Sequence, residues 1–383
     1  MASRETALDV WDPRVAPEEN ITNWTGEPVL HSPREAPRRD EPLMVDLFSG
    51  AGGFSLGLAA AGFAPALGLD HHIPSARTYA RAHPAAATIL GDIRRVPEAL
   101  IDEALDGRSV DLVTAGVPCQ GFSLCNRKRH DADRRNFLFH EFIRVVRHLR
   151  PRAVILENVS GLRSADAGGF AARIEAAIAE SGYHVEWRLL NAAEFGVPQE
   201  RRRVFFVGLR SGHAFPWPRP THGEGQRSFV TVWEAIGDLP PLEPGQSAEE
   251  YAEKPFSHHQ RCMRRGSRSL TNHTAPHHPR ATVERIARTA PGEPMYPRFR
   301  QRIRLHPDRP SPTQVSGGIR PQFSFGHPTQ PRGLTVRERC RLQSFPDTCF
   351  IEGGTVQGRV QTGNAVPPLL AEAIGRALLR ALG

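Results

Sequence analysis

The segment Leu43-Met44-Val45-Asp46-Leu47-Phe48-Ser49-Gly50-Ala51-Gly52-Gly53-Phe54 decides the fold that this sequence predicts. Residues 43–48 form a short apolar run typical of a buried strand, and residues 49–53 are small and rich in glycine. A helix is predicted over 54–61, and Gly62 ends it. Glycines let a backbone approach a ligand closely, and the start of a helix offers N–H groups. The pattern therefore predicts a ligand-binding loop at the carboxyl end of the first strand.

The same alternation of strand and helix continues along the chain to about residue 210. Further strands are predicted at 66–69, 110–115, 153–156, 184–190 and 204–209, and helices at 136–149 and 170–180. Alternating elements of this kind are typical of an α/β fold with a doubly wound, mostly parallel sheet of Rossmann-like type.

The pattern changes at about Ser211, where proline, glycine, arginine and histidine become frequent. Residues 211–330 are predicted to form a smaller, irregular domain with one helix at 281–288. Helical signal returns at Thr335, which begins a capping box with Glu338, and a last helix is predicted at 367–382. We expect 43–210 and the returning segment 331–383 to form one domain. Residues 1–42 are polar and rich in proline and glutamate, and are predicted to be a disordered extension.

The charge is unevenly distributed. The chain has a formal net charge of +8, but residues 258–305 contain eleven arginines and two glutamates, a local charge of +9. Such a patch favours a polyanionic partner, although a merely soluble arginine-rich surface would look the same. The five cysteines, with no CxxC pair, are typical of a protein of the reducing cytoplasm. Without a signal peptide or an apolar run of 18 residues, no membrane association is expected.

Several polar residues follow the predicted strands, where a doubly wound sheet gathers ligands. They are Asp46, Asp70, Asp92, Cys119, Glu157 and Arg203. Asp70 lies 20 residues after Gly50, the usual place for a carboxylate that binds ribose hydroxyls. Cys119 is a candidate nucleophile in a loop near cationic residues. Taken singly, each has an ordinary interpretation: a buried thiol, a helix cap, a turn or a solvated charge.

Two other chemistries are less well supported by the residues. The loop spacing is GxGG rather than the GxGxxG of nicotinamide enzymes, and no later segment resembles a hydride-transfer site. The histidines at 258, 259, 273, 277 and 278, with Cys262, fit no standard zinc spacing, so no metal site is predicted.

Seven ordered blocks carry a closer resemblance. They are Asp46 to Phe54 (DLFSGAGGF), Gly116 to Ser123 (GVPCQGFS), Glu157-Asn158-Val159, Gln199 to Arg203 (QERRR), Arg309 to Thr313 (RPSPT), Leu334 to Glu338 with Leu342 to Asp347, and Gln361 to Pro368 (QTGNAVPP). This chain resembles, over about residues 43–383, the DNA (cytosine-5) methyltransferases of bacterial restriction–modification systems. The resemblance implies S-adenosylmethionine as cofactor, with S-adenosylhomocysteine as product.

The resemblance also implies roles for individual residues. The catalytic residues would be Cys119, Glu157, Arg201 and Arg203. The cofactor would be bound by Phe48, Gly50, Gly52, Gly53, Asp70, Asp92, Ile93, Pro118, Asn364 and Val366. DNA would be contacted by Gln120, Ser123, Arg127, Arg134, Arg135 and Thr313, and residues 211–330 would recognise the target sequence.

The implied substrate is cytosine in a specific double-stranded DNA sequence, and the implied setting is the bacterial cytoplasm, in contact with the nucleoid. A monomer is expected, with a restriction endonuclease of the same site as a functional partner. Three alternatives stay open: a tRNA cytosine-5 methyltransferase of the same family, a non-catalytic DNA-binding regulator and a nicotinamide oxidoreductase.

Overall fold

A computed structural model describes residues 22–36, 40–118, 138–162, 169–316 and 324–383. The chain divides into two compact units. The first comprises Met1–Asn191, Arg202–Arg219 and Ala371–Gly383, and the second comprises Ala192–Arg201 and Pro220–Leu370. The predicted returning segment 331–383 is thus divided, because its part up to Leu370 belongs to the second unit.

Eight strands of the described residues form one sheet in the first unit. They are β1 (Val29–His31), β2 (Leu43–Leu47), β3 (Ala64–Asp70), β4 (Ala87–Leu90), β5 (Leu112–Gly116), β6 (Ala153–Val159), β7 (His184–Asn191) and β8 (Arg202–Leu209). Their order is β1-β4-β3-β2-β5-β6-β8-β7. The five central strands from β4 to β6 run parallel, whereas β1, β7 and β8 pair antiparallel. The predicted doubly wound, mostly parallel α/β fold is confirmed.

Helices of the first unit cover the sheet. They are α1 (Gly53–Ala61), α2 (Ile73–Ala82), α3 (Glu98–Leu105), α4 (Leu138–Leu149) and α5 (Gly169–Glu180). The core between them and the sheet consists of aliphatic and phenylalanine side chains, among them Val45, Leu69, Val113 and Phe142. Burial of this apolar surface is the main force that holds the strand ends together.

The prediction that residues 1–42 are disordered is wrong for 22–36. Val29–His31 forms β1, which pairs with β4 in the register Val29↔Leu90. Trp24 and Val29 pack against a small buried cluster that includes Ile73 and Leu90. A strand of three residues between polar neighbours shows no alternation of apolar and polar residues, so the sequence pattern gave no sign of it.

The second unit is built from short helices and loops, and between residues 211 and 330 its described part has two helices besides the one predicted at 281–288. Its helices are α6 (Val232–Ile236), α7 (His258–Met263), α8 (Arg280–Arg288), α9 (Val336–Leu342) and α10 (Thr355–Asn364), and α11 (Pro368–Leu382) begins in it and ends in the first unit. The predicted capping box of Thr335 and Glu338 is present at α9. None of the helices in the described part of the chain has the length and apolar character of a transmembrane span.

Buried ion pairs stabilise α9. Arg341 donates to Asp347 (Nε to Oδ1, 2.6 Å) and to Asp238 (Nη1 to Oδ1, 3.1 Å), and all three side chains are fully buried. Arg332 donates to both carboxylate oxygens of Glu338. These five buried charges therefore each have a partner of opposite sign, which offsets the cost of their burial.

Candidate active site

The glycine loop joins β2 to α1. Phe48, Gly50 and Gly52 have φ angles of 57°, 54° and 77°, in the left-handed region. A Cβ atom on Gly52 would lie 2.9 Å from His83 Nε2, so only glycine fits there. Among the described residues, no atom lies within 4 Å of a Cβ position on Gly50, and the buried hydroxyl of Ser49 has no hydrogen-bond partner. Open space and an unused polar atom lie together at this loop.

Asp70, at the end of β3, is fixed against the same loop. Gly50 N donates to Asp70 Oδ2 at 2.8 Å, and His72 N donates to Asp70 Oδ1 at 2.8 Å. The side chain is 11% exposed. Each carboxylate oxygen can accept more than one hydrogen bond. Asp70 can therefore hold the loop and still accept from a ligand hydroxyl.

Asp92 follows β4 and begins a short helical turn over Ile93–Arg95. Its carboxylate accepts from Arg94 N at 3.1 Å and from the Arg94 side chain, with Nε to Oδ1 at 3.0 Å. These hydrogen bonds lower the pKa of Asp92 below its ordinary value. Ile93 is buried in the core of the first unit. The structure thus brings Asp70 and Asp92 to neighbouring strand ends, since β3 pairs with β4 in the register Asp70↔Leu90.

A buried polar network lies behind the glycine loop, and sequence reasoning missed most of it. Asp46 Oδ2 accepts from Ser55 Oγ at 2.6 Å, and Asp46 Oδ1 accepts from Thr114 Oγ1 at 3.1 Å. Ser55 Oγ also lies 3.3 Å from the hydroxyl of Tyr79, which is fully buried. The only signal in the sequence is the presence of polar side chains inside otherwise apolar segments.

Burial raises the pKa of Asp46 to about 7, although the hydrogen bonds from Ser55 and Thr114 partly offset the effect. The folded state therefore keeps a proton that the unfolded state, with an ordinary pKa of 3.8, releases. Stability is lost as the pH rises from about 4 to about 7. We expect Asp46→Asn to gain thermal stability relative to wild type across this window, by several degrees. Melting temperatures of both proteins from pH 4.5 to 8 test this, and a difference that does not vary with pH would contradict it.

Glu157 and Arg203 form an ion pair between β6 and β8. Arg203 Nε lies 3.0 Å from Glu157 Oε1, and the two side chains are 13% and 9% exposed. Burial lowers the pKa of Arg203, and the charge of Glu157 counteracts this. A Cβ atom added at Gly116, the last residue of β5, would lie 3.7 Å from Glu157 Oε2. Glu157 is therefore next to the strand end that leads toward Cys119.

The backbone after β5 is held by the neighbouring strand. Asn158 Nδ2 donates to Val117 O at 3.3 Å, and Pro118 is partly buried. The remaining residues predicted for this loop lie outside the described residues: Cys119, Gln120, Ser123, Arg127, Arg134 and Arg135.

Arg201 belongs to the second unit, where its guanidinium is hydrogen-bonded to two backbone carbonyls. Its Nη1 donates to Gln314 O and its Nη2 to Gly363 O, both at 3.0 Å, and the side chain is buried. Thr313 Oγ1 donates to Glu200 O at 2.7 Å. A Cβ atom at Gly363 would lie 2.1 Å from Ser316 N. Arg201 thus joins two distant segments, which suits a positioning residue rather than one that contacts the base.

Arg201→Lys should lower the free energy of unfolding by on the order of 3 kcal/mol. The lysine ammonium lacks the planar, two-armed guanidinium geometry with which Arg201 donates to two carbonyls at once. Arg202→Lys is the matched control, since Arg202 is exposed. Urea unfolding of both variants provides the measurement. Equal stability of the two would mean that the Arg201 contacts contribute little.

The remaining predicted residues also lie in the second unit. Asn364 is exposed at the end of α10, and Val366 is buried between α10 and α11. Two of the histidines that raised the question of zinc contact backbone or hydroxyl oxygens: His259 contacts Arg341 O, and His273 contacts Thr335 Oγ1 and Pro240 O. His258 Nε2 lies 3.4 Å from Cys262 Sγ. No group of potential metal ligands occurs among the described residues.

The family is decided by a comparison of the sequence with known families. Residues 43–380 match the model of the C-5 cytosine-specific DNA methylases. The chain belongs to this family. As a C-5 cytosine-specific DNA methylase, it is similar to the type II methyltransferase M1.HphI of Haemophilus parahaemolyticus, at 36% identity over 88% of this chain and 86% of the relative. It is also 34% identical to M.DdeI of Desulfomicrobium norvegicum, over 86% and 87% of the two chains.

Solved structures agree with this methylase fold. A putative DNA modification methyltransferase encoded within an E. coli prophage superposes with a TM-score of 0.75 at 26% identity, covering 89% of this chain and 99% of that one. The Dnmt2 methyltransferase of S. pombe superposes with a TM-score of 0.59 at 16% identity, covering 89% and 99%, and shows likeness of fold alone.

Proposed function

We propose that this chain transfers a methyl group from S-adenosylmethionine to C5 of a cytosine that is flipped out of a specific double-stranded DNA sequence. The observation that carries the proposal is the Glu157–Arg203 pair beside the strand that leads to Cys119, in the same sheet as the glycine loop. The family match supplies the reaction class.

The residues of the first unit fit the cofactor. Within the part of the chain that the structure describes, the loop at Gly50 borders open space and the Ser49 hydroxyl has no partner, and Asp70 and Asp92 present carboxylates at neighbouring strand ends. In this proposal Asp70 accepts from the ribose hydroxyls and Asp92 from the adenine amine, with Phe48, Gly52, Gly53, Ile93 and Pro118 around them. Asn364 and Val366 are assigned to the same site by resemblance. When bound, S-adenosylmethionine supplies an electrophilic methyl group.

In this proposal, Cys119, Glu157 and Arg203 make C5 of cytosine nucleophilic enough to accept a methyl group. C5 of cytosine is a weak nucleophile, so the thiolate of Cys119 adds to C6, and the electron pair of the C5–C6 double bond moves toward N3 and C5. Glu157, in its protonated form, donates its proton to N3 and accepts a hydrogen bond from the exocyclic amine, which neutralises the negative charge that develops at N3. Arg203 contacts the base carbonyl and orients Glu157 through their ion pair. After methylation, a water molecule takes the C5 proton, whose electron pair restores the double bond, the Cys119 thiolate leaves, and N3 returns its proton to Glu157.

Base flipping is required because a thiol cannot reach C6 inside a stacked duplex. The segment from Gln120 to Arg135 would close over the flipped base, and its arginines would meet phosphates. The second unit would read the DNA sequence. Its α8 presents arginines to solvent, with Arg280 and Arg288 side chains 93% and 83% exposed, as contact with a polyanion requires.

The test is to measure transfer of a labelled methyl group to unmethylated genomic DNA and to tRNA in parallel, followed by bisulfite sequencing of the DNA. We expect label in DNA only, with 5-methylcytosine confined to one short duplex sequence. Label in tRNA alone would favour the tRNA alternative. Protection of the methylated DNA from an endonuclease would show that the two enzymes recognise the same sequence.

A further inference from the structure

Residues 22–31 precede the region that matches the family, which begins at residue 43. We call residues 22–28 the N-terminal arm. The arm contacts the segment directly after Asp70. Trp24 N donates to His71 O at 2.7 Å, and Ile73 N donates to Thr22 O at 2.9 Å. The arm is thus hydrogen-bonded to the loop that carries the carboxylate assigned to the ribose.

The other end of the arm contacts the loop that carries Asp92. A Cβ atom on Gly91 would lie 2.9 Å from Cβ of Pro28, so the proline ring packs directly on the residue before Asp92. Arg95 Nη1 donates to Thr25 O at 2.7 Å and to Gly26 O at 3.0 Å, and its Nη2 pairs with the carboxylate of Glu27. The arm therefore joins two loops that follow different strands.

The arm is also folded on itself. Trp24 Nε1 donates to Glu27 O at 2.7 Å, and a Cβ atom on Gly26 would lie 2.7 Å from the Trp24 ring. The indole packs against Ile73 and Leu90, which are fully buried. A closed turn anchored by an aromatic side chain can hold the two loops it contacts at a fixed distance, whereas a loose extension cannot.

We propose that the N-terminal arm is a positioning element of the cofactor site, which holds the Asp70 and Asp92 loops at the separation that the adenosine half of S-adenosylmethionine requires. This rests on the proposed function, because that function assigns the two carboxylates to the ribose and the adenine. A site that is organised before binding loses less conformational entropy when the ligand arrives. Release of the arm should therefore weaken binding of the cofactor and leave the chemistry of the bound complex unchanged.

The experiment uses the full chain and titration calorimetry with S-adenosylhomocysteine, so that no turnover is involved. Trp24→Ala removes the anchor, and Arg95→Met removes the donors to Thr25, Gly26 and Glu27 but keeps the aliphatic stem. Trp187→Ala is the control, since Trp187 is a 36% exposed tryptophan on β7 at the opposite edge of the sheet. We expect Kd to rise roughly tenfold in the first two variants and not in the control. In turnover assays KM for S-adenosylmethionine should rise, with kcat and the KM for DNA unchanged.

Three results separate the outcomes. If the wild-type protein binds no S-adenosylhomocysteine, the proposed function itself is wrong. If wild type binds and Arg95→Met, folded by circular dichroism, binds equally well, the positioning role is wrong and the arm only covers the sheet edge. Should Trp24→Ala fail to fold, Arg95→Met decides alone, because its side chain is 43% exposed and its replacement leaves the core intact.

Discussion

Cys119→Ser is expected to lower the rate of methyl transfer to duplex DNA by roughly 10⁴-fold or more. A serine hydroxyl is a much poorer nucleophile than a thiolate at neutral pH, so addition to C6 would not occur at a useful rate. Without that addition, C5 stays too weakly nucleophilic to accept a methyl group. The measurement is incorporation of a labelled methyl group at saturating DNA and cofactor.

Cys125→Ser is the matched control for this variant. It makes the same chemical change six residues along the chain, at a cysteine to which the proposed mechanism gives no role. It should retain wild-type activity. Near wild-type transfer by Cys119→Ser, or equal losses in the two variants, would contradict the assigned nucleophile.

Glu157→Gln should reduce kcat by about 10²- to 10⁴-fold, because glutamine keeps the shape of the side chain but cannot give a proton to cytosine N3. The change also leaves Arg203 in a largely buried position without its ion-pair partner. Some loss of stability is therefore expected as well. Single-turnover rates, measured at a temperature where circular dichroism shows a folded protein, separate the catalytic effect from unfolding.

Glu186→Gln is the control for Glu157→Gln. Glu186 is a glutamate of the same sheet, on β7, where it accepts a hydrogen bond from Trp217 Nε1 at 2.9 Å. Its replacement should leave turnover unchanged. If Glu157→Gln turned over like Glu186→Gln, the carboxylate of Glu157 would have no part in the chemistry.

The strand ends were the most predictable part of the site. In the sequence, Asp70 and Glu157 each follow an apolar run that is typical of a buried strand. Because β3, β2, β5 and β6 run parallel, their carboxyl ends lie on one edge of the sheet. The glycine-rich run predicted a ligand-binding loop after the first strand, and Gly50 and Gly52 do adopt left-handed backbone angles there, but the left-handed angle of Phe48 could not be foreseen from its residue type.

Long-range contacts were not predictable. Residues 201 to 203 are three consecutive arginines, and alternation alone would place the first and third on one face. The structure instead uses Arg201 to hold the carbonyls of Gln314 and Gly363, which are 113 and 162 residues away, and uses Arg203 to pair with Glu157. Local sequence carries no information on partners at such a distance.

The N-terminal arm was missed for a related reason. The β1 strand that follows the arm has only three residues, and this part of the chain is stabilised by β4 and by the packing of Trp24 against the cluster of Ile73 and Leu90. Residues 1–42 are polar and rich in proline and glutamate, so their composition resembles that of a disordered segment, and contacts with distant partners leave no mark in it.

The most direct test uses duplex DNA in which the target cytosine, once mapped, is replaced by 5-fluorocytosine. Fluorine at C5 cannot leave as a proton, so the Cys119–C6 bond should persist after methyl transfer. We predict a protein–DNA complex that resists denaturation, with the DNA attached to the peptide that contains Cys119 and with no complex in Cys119→Ser. A wild-type enzyme that methylates cytosine at this site but forms no such complex, or forms it through another residue, would contradict the proposed mechanism.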